Sequence, residues 1–118
     1  MLCFLKLVFI SFFLISNFSK IALAQSIPDM SNLDYETKSS IEIACVYAKT
    51  KGPAKYANCI RKQLIEYAKV RAIPDMSNLN YETKSSIEIA CVYAKTKGPA
   101  KYANCIRDQL RSIGINPR

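Results

Sequence analysis

Histidine is absent from this 118-residue sequence, glycine occurs only three times, and nine acidic residues stand against 17 basic ones. Histidine is the side chain whose ordinary pKa lies nearest to neutral pH, so its absence removes the commonest general base. The sequence also has no glycine-rich phosphate-binding loop. These absences argue against most kinds of catalysis, and we predict that the protein is not an enzyme and requires no cofactor.

The carboxylates and cysteines form no catalytic or metal-binding pattern. Glu36 and Glu42 are six residues apart on a predicted helix, which places them on different faces, and we interpret them as solvated charges. Zinc sites use cysteine and histidine, commonly with a Cys-x-x-Cys pair, and the sequence has neither histidine nor such a pair. We therefore predict no catalytic residue and no metal ligand.

Residues 1–24 have the pattern of a secretory signal peptide. Lys6 precedes a largely apolar run over residues 7–15, and the small-residue triplet Ala-Leu-Ala ends at Ala24. Only 13 residues separate Lys6 from Lys20, whereas a helix needs about 20 to cross a bilayer. We predict cleavage after Ala24, and a secreted or periplasmic protein without a transmembrane segment in its mature form.

The predicted mature chain, residues 25–118, is small, basic and rich in cysteine. Removal of Lys6 and Lys20 leaves 15 basic and nine acidic residues, a net charge of +6 that favours anionic partners. An even number of cysteines in a short exported chain predicts a disulfide framework. The four cysteines are Cys45, Cys59, Cys91 and Cys105.

Most of the mature chain is one unit written twice. Residues 27–64 recur as residues 73–110, at an offset of 46, with two changes. The changes are Asp34 to Asn80 and Lys62 to Asp108. Each copy of such a repeat is a supersecondary unit that buries part of its apolar surface against its neighbour. We divide the chain into a first hairpin repeat, residues 25–72, and a second, residues 73–118.

Within each copy, a stretch without glycine or proline is followed by Gly-Pro and a second such stretch, which predicts helix, tight turn, helix. Asp34 or Ser31 can cap the first helix of copy one, and Asn80 or Ser77 that of copy two. The IPDMSNL segment contains Pro74, which ends a helix, and we predict an ordered loop that sets the angle between the hairpins.

The cysteine spacing matches this hairpin. Cys45 lies seven residues before Gly52 and Cys59 seven after it, so both stand about 10 Å from the turn at 1.5 Å per residue. The second copy has the same symmetry around Gly98. Of the three possible pairings, we predict the one that each repeat makes by itself, Cys45 with Cys59 and Cys91 with Cys105.

The stretch IEIACVYA is apolar almost all round its helix, so it predicts burial on two sides. One side faces its own hairpin, and Ile43, Val46 and Tyr47 are predicted to face the equivalent surface of the other copy, Ile89, Val92 and Tyr93. The expected fold is all-α, with two disulfide-stapled helical hairpins stacked as a small four-helix unit or the start of a short solenoid. A homodimer formed by domain swapping is an alternative.

Lysines surround both predicted turns. If both tips point the same way, they present two matched cationic surfaces that suit a repeating anionic partner. Alternatively, the lysines only complement the dipoles of the helix ends. We do not expect nucleic acid as a partner, because the chain has no interleaved basic and aromatic stripe. The candidate contact residues are Lys49, Lys51, Lys55, Lys95, Lys97 and Lys101.

The order Ala-Cys, Gly-Pro, Tyr, Cys and Gln-Leu, over residues 41–64 and 87–110, resembles a short cysteine-paired helical-hairpin module of exported bacterial proteins. Such segments sometimes accompany a larger domain such as a trypsin-like protease. The resemblance implies an accessory or protein-interaction role at the cell envelope or outside the cell. The alternatives are a cationic membrane-active toxin or antimicrobial factor, and an enzyme inhibitor that inserts a hairpin tip into a cleft.

Overall fold

The computed structural model describes residues 26–117, and within them the chain forms six helices and no strand. The helices are α1 Tyr35–Ala44, α2 Val46–Lys49, α3 Pro53–Ala68, α4 Tyr81–Ala90, α5 Val92–Thr96 and α6 Pro99–Ser112. Helices α1 to α3 form the first hairpin and α4 to α6 the second. The predicted all-α class is confirmed. The predicted signal peptide and its cleavage site lie outside the described residues.

Each hairpin begins with a side-chain cap at the predicted position. Asp34 accepts hydrogen bonds from the amide of Thr37 at 3.0 Å and from its hydroxyl at 2.6 Å. In the second copy, Asn80 accepts from the amide of Thr83 at 2.8 Å. Of the two predicted caps for the first helix, Ser31 is not used, since its amide and hydroxyl donate to Asp29. The change from Asp34 to Asn80 therefore preserves the cap.

The first arm of each hairpin is kinked at its cysteine. The sequence predicts one continuous helix up to the turn, but Cys45 has φ −101° and ψ 4° and separates α1 from α2. The amide of Cys45 still donates to the carbonyl of Ile41, and its own carbonyl accepts from Lys49, both at 3.0 Å. Helical hydrogen bonding thus continues across the kink. The turn follows at Gly52, whose φ of 110° favours glycine, and Pro53 begins α3.

The predicted disulfides are confirmed, and each staples the two arms of its own hairpin. Cys45 pairs with Cys59 and Cys91 with Cys105, with Cα atoms 5.7 Å apart in both pairs. Disulfides persist in oxidising compartments, so the bridges indicate an extracytoplasmic environment. None of the described helices is both long and apolar enough to cross a membrane.

Each hairpin has its own small core, covered by the IPDMSNL segment that precedes it. In the first copy, Met30 packs with Ile41, Cys45, Tyr56 and Ile60. The second core contains Met76, Ile87, Cys91, Tyr102, Ile106 and Leu110. The loop between the hairpins is ordered, as predicted, but it is also part of the second hairpin's core.

The loop is anchored to the second hairpin by an arginine. Arg107 is only 7% exposed, and its guanidinium donates hydrogen bonds to the carbonyls of Arg71 and Ala72. The equivalent Arg61 donates to the carbonyl of Ser26 at 2.7 Å. Because the bonds come from a charged donor, they hold the incoming chain more firmly than neutral hydrogen bonds would.

The copies stack through two different surfaces. One is the receiving face of the first copy, which consists of Glu36, Thr37, Ser40 and Gln63 on α1 and α3. The other is the second tip, the turn at residues 95–101 between α5 and α6. The hydroxyl of Ser40 donates to the Lys95 carbonyl at 2.8 Å. Thr37 and Ser40 are both 0% exposed.

The predicted contact between equivalent apolar stripes is wrong. Val46 and Tyr47 are 60% and 71% exposed, and their equivalents Val92 and Tyr93 are 58% and 70% exposed. The isoleucines of the two stripes, Ile43 and Ile89, are exposed as well. The stripes remain in solvent because the copies join through the receiving face and the second tip instead.

Candidate interaction surfaces

The first tip, at residues 49–55 between α2 and α3, is open to solvent and cationic. Lys49, Lys51 and Lys55 are all exposed. The ammonium of Lys49 lies 5.4 Å from the ring centroid of Tyr56, and that of Lys51 lies 5.0 Å from the ring of Tyr47. Both distances are within the range of cation–π attraction. The tip therefore presents three positive charges, two of them held over tyrosine rings.

The second tip is docked against the first copy, so the expected pair of matched cationic surfaces does not form. The ammonium of Lys95 lies 2.6 Å from the carboxylate of Glu36. Gly98 and Pro99 are buried, whereas the equivalent Pro53 is exposed. Of the two tips, only the first is open, because the second supplies the contact between the copies.

Lys97 and Lys101 nevertheless remain exposed beside this contact. Together with Lys62 from α3 they line a groove of about 650 Å³ at the junction of the copies. The ammonium of Lys97 lies 4.9 Å from the ring centroid of Tyr93, which also lines the groove. Glu66 lines the groove as well, and the three lysines outweigh its charge, so the groove attracts an anionic group. The sequence analysis missed Lys62, because its position beside the second tip depends on how the hairpins stack.

Glu36 remains partly solvated, with its side chain 46% exposed, but it is also paired. It makes the ion pair with Lys95, whose side chain is 24% exposed. Glu42, the other glutamate of α1, is exposed. Spacing along the helix separates the two glutamates but gives no sign of which one meets the second copy. Glu82, equivalent to Glu36, is exposed as well.

Two groups near the contacts described above, Tyr102 and Asp34, have pKa values shifted by their surroundings. Burial, with the carboxylates of Glu36 and Glu88, raises the pKa of Tyr102 to about 12, so its hydroxyl stays protonated at neutral pH. For Asp34, burial alone would raise the pKa, but hydrogen bonds from Thr37 outweigh it and lower the pKa. Residues 26–117 contain no group of His, Cys, Asp or Glu side chains arranged to hold a metal ion.

Comparisons with protein-family models, with curated proteins and with solved structures found no match for this chain. The resemblance to an exported cysteine-paired hairpin module stays a prediction.

Proposed function

We propose that this protein is an exported interaction module that binds an acidic protein surface at the cell envelope or outside the cell. The supporting observation is that five of the six candidate lysines are exposed and lie on two cationic surfaces. Lys49, Lys51 and Lys55 lie on the first tip, and Lys97 and Lys101 line the groove at the junction. Export is supported by the disulfides and by the leader-like pattern of residues 1–24.

The charge on these surfaces is well placed for recognition. Lysines held near tyrosine rings combine a positive charge with an aromatic surface, and Tyr47 and Tyr93 are 71% and 70% exposed. Aromatic residues are enriched at protein interfaces. Complementary charge increases the rate of encounter and selects among partners more than it adds affinity. We expect binding that weakens as salt is added.

The test is chemical crosslinking of the oxidised protein in a native envelope extract, with anionic lipid vesicles present as competitor. We expect one discrete protein partner to be recovered despite the vesicles. Substitution of both Lys51→Glu and Lys97→Glu should abolish its recovery, whereas the exposed Lys38→Glu should not. Equal recovery by the double variant would contradict the proposed contact surfaces.

A cationic membrane-active protein is a second candidate, and the exposed apolar stripes favour it. Beside the exposed Val46 the ammonium of Lys51 lies over the ring of Tyr47, and beside Val92 that of Lys97 lies over the ring of Tyr93. Apolar residues beside lysines suit the surface of an anionic membrane. If the vesicles capture all of the protein and leak their contents at low protein concentration, this candidate replaces the protein-interaction module.

A further inference from the structure

The contact between the two copies joins unlike surfaces of nearly identical units. The first copy contributes its receiving face, and the second copy contributes its tip. Such a contact is heterologous, and a heterologous contact leaves each of its two surfaces unused at the opposite ends of the assembly. The unused surfaces here are the first tip and an open face on the second copy, which consists of Glu82, Thr83, Ser86 and Gln109.

The burial of equivalent residues shows that both surfaces are unoccupied in a single chain. Ser40 is 0% exposed and its equivalent Ser86 is exposed. Pro99 is less than 2% exposed and its equivalent Pro53 is exposed. In both pairs, the residue at the internal contact is buried and its equivalent is exposed. The first tip and the open face are therefore both uncovered in a single chain.

The open surfaces retain the groups that make the contact inside the chain. Residues 49–55 of the first tip are identical to residues 95–101 of the second. Ser86 has the hydroxyl that Ser40 uses, and Glu82 has the carboxylate that Glu36 uses. The internal contact also requires a glycine, because a Cβ at Gly98 would lie 1.8 Å from the amide oxygen of Gln63. The equivalent residues are again a glycine, Gly52 on the first tip, and a glutamine, Gln109 on the open face.

We propose that the open face of one molecule binds the first tip of another, so that the protein assembles end to end through a repeat of its internal contact. The occupant is a second copy of this chain. The hydroxyl of Ser86 would donate to the Lys49 carbonyl of the next molecule, and the Lys49 ammonium would pair with Glu82. Such an assembly is an open filament or a ring, according to the rotation between successive molecules.

The single charge-reversing difference between the copies supports this assembly. Lys62 lies in the groove with Lys97, Lys101 and Glu66, so three positive charges and one negative charge meet at the internal contact. Its equivalent on the open face is Asp108. At an end-to-end contact, Asp108 would therefore face Lys51 and Lys55 of the next molecule. Asp108 in place of Lys62 replaces repulsion of the tip lysines with attraction, which it shares with Arg111 of its own helix at 3.4 Å, while Ser112 stands in place of Glu66.

One side chain makes the open face poorer than its internal equivalent. The hydroxyl of Tyr67 contacts the Thr37 hydroxyl at 3.2 Å and accepts from the amide of Ile73 at 3.3 Å. Ile113 stands at the equivalent place and has no hydroxyl. The internal contact also benefits from the loop between the hairpins, which holds the two surfaces at high effective concentration. We therefore expect reversible association that depends on protein concentration.

The test is sedimentation velocity of the oxidised chain from Gln25 onward, over a wide range of concentrations. The unsubstituted protein should form dimers and longer species as concentration rises. Ser86→Arg places a large side chain on the exposed open face, where the monomer tolerates it, and should lower the association constant about tenfold or more. Asp108→Lys introduces the residue present at position 62 and should lower the association constant by about three- to tenfold. This effect should be smaller at high salt, which screens the charges.

Ile65→Arg is the matched control, because Ile65 is 58% exposed and its equivalent is already Arg111. This variant should associate like the unsubstituted protein. A protein that stays monomeric at every concentration overturns the proposal. So does a dimer that forms equally well with Ser86→Arg, since exchange of whole hairpins does not use the open face.

The proposal and the proposed function both use the first tip, but the assay separates them. Ser86→Arg leaves the lysines of the first tip and of the groove unchanged, so a monomeric Ser86→Arg variant still tests binding to an acidic partner. Loss of self-association with retained partner binding supports both proposals. Self-association of the unsubstituted protein, together with no recovered partner, supports assembly alone.

Discussion

Replacement of Ser40 by alanine should destabilise the protein, whereas the same replacement at Ser86 should not. Each serine is the sixth residue of an identical helix sequence, YETKSSIEIA. The two substitutions therefore bring the same change in helix propensity, and that change cancels when they are compared. What differs is the environment. Ser40 is fully buried and donates to the Lys95 carbonyl at 2.8 Å, while Ser86 is exposed.

The expected magnitude comes from this hydrogen bond and the acceptor that is left behind. A hydrogen bond contributes about 0.5 to 1.5 kcal/mol, and an unsatisfied buried acceptor costs about 1 to 3 kcal/mol. Some of the second cost is avoided if water reaches the Lys95 carbonyl. We therefore expect Ser40→Ala to lower the free energy of unfolding by about 1 to 2 kcal/mol more than Ser86→Ala. That difference is a large part of the stability of a small domain.

The assay is urea unfolding of the oxidised protein at neutral pH, followed by circular dichroism. Protein concentration must be low enough for sedimentation to show a monomer, so that self-association does not contribute. If both variants lose the same free energy, within about 0.3 kcal/mol, Ser40 gains nothing from the second copy. The description of the stack would then be wrong. A variant that separates unfolding into two transitions would show that the hairpins have become independent.

Three further results are expected. The pKa of Asp34 is lowered in the folded protein, so the carboxylate adds to the free energy of unfolding in full above its unfolded pKa of ~4, and this stability is lost as the pH falls through the folded pKa. In urea unfolding at acidic pH, Asp34→Asn should reduce this loss. Replacement of Cys45 and Cys59 by alanine should cost about 3 kcal/mol in the same assay, because the bridge closes a loop of about 15 residues. Arg107→Ala should cost about 2 to 4 kcal/mol and more than Arg61→Ala, since Arg107 is buried and anchors two loop carbonyls; equal costs would contradict this anchoring.

The features that the sequence predicted correctly are those that depend on nearby residues. The caps at Asp34 and Asn80 require only the first turn of the helix. The turn at Gly52 and the disulfide from Cys45 to Cys59 require only the length of one hairpin arm. Steric limits, hydrogen bonding and a rise of about 1.5 Å per residue act within each repeat, and a repeated sequence gives the same result twice.

The candidate site was predicted less completely, because it depends on contacts between the copies. Lys49 and Lys51 are exposed on the first tip, where the hairpin prediction placed them. Lys95 has the same sequence surroundings as Lys49, but it is half-buried and paired with Glu36. No local pattern separates these two lysines. Only the identity of the neighbouring unit does, and the groove that contains Lys62 depends on it in the same way.

The prediction that equivalent stripes would meet assumed an arrangement that the observed burial excludes. If equivalent surfaces faced each other, the copies would be related by a two-fold axis, and each residue would be buried to the same extent as its equivalent. Ser40 and Ser86 differ completely, as do Pro99 and Pro53. Near-identical copies offer the same surfaces to either arrangement, so the repeated residues alone do not select between them. In the arrangement that forms, the second tip meets α1 of the first copy, and Tyr67, whose equivalent is Ile113, contacts Thr37 and accepts from the amide of Ile73 in the loop between the hairpins.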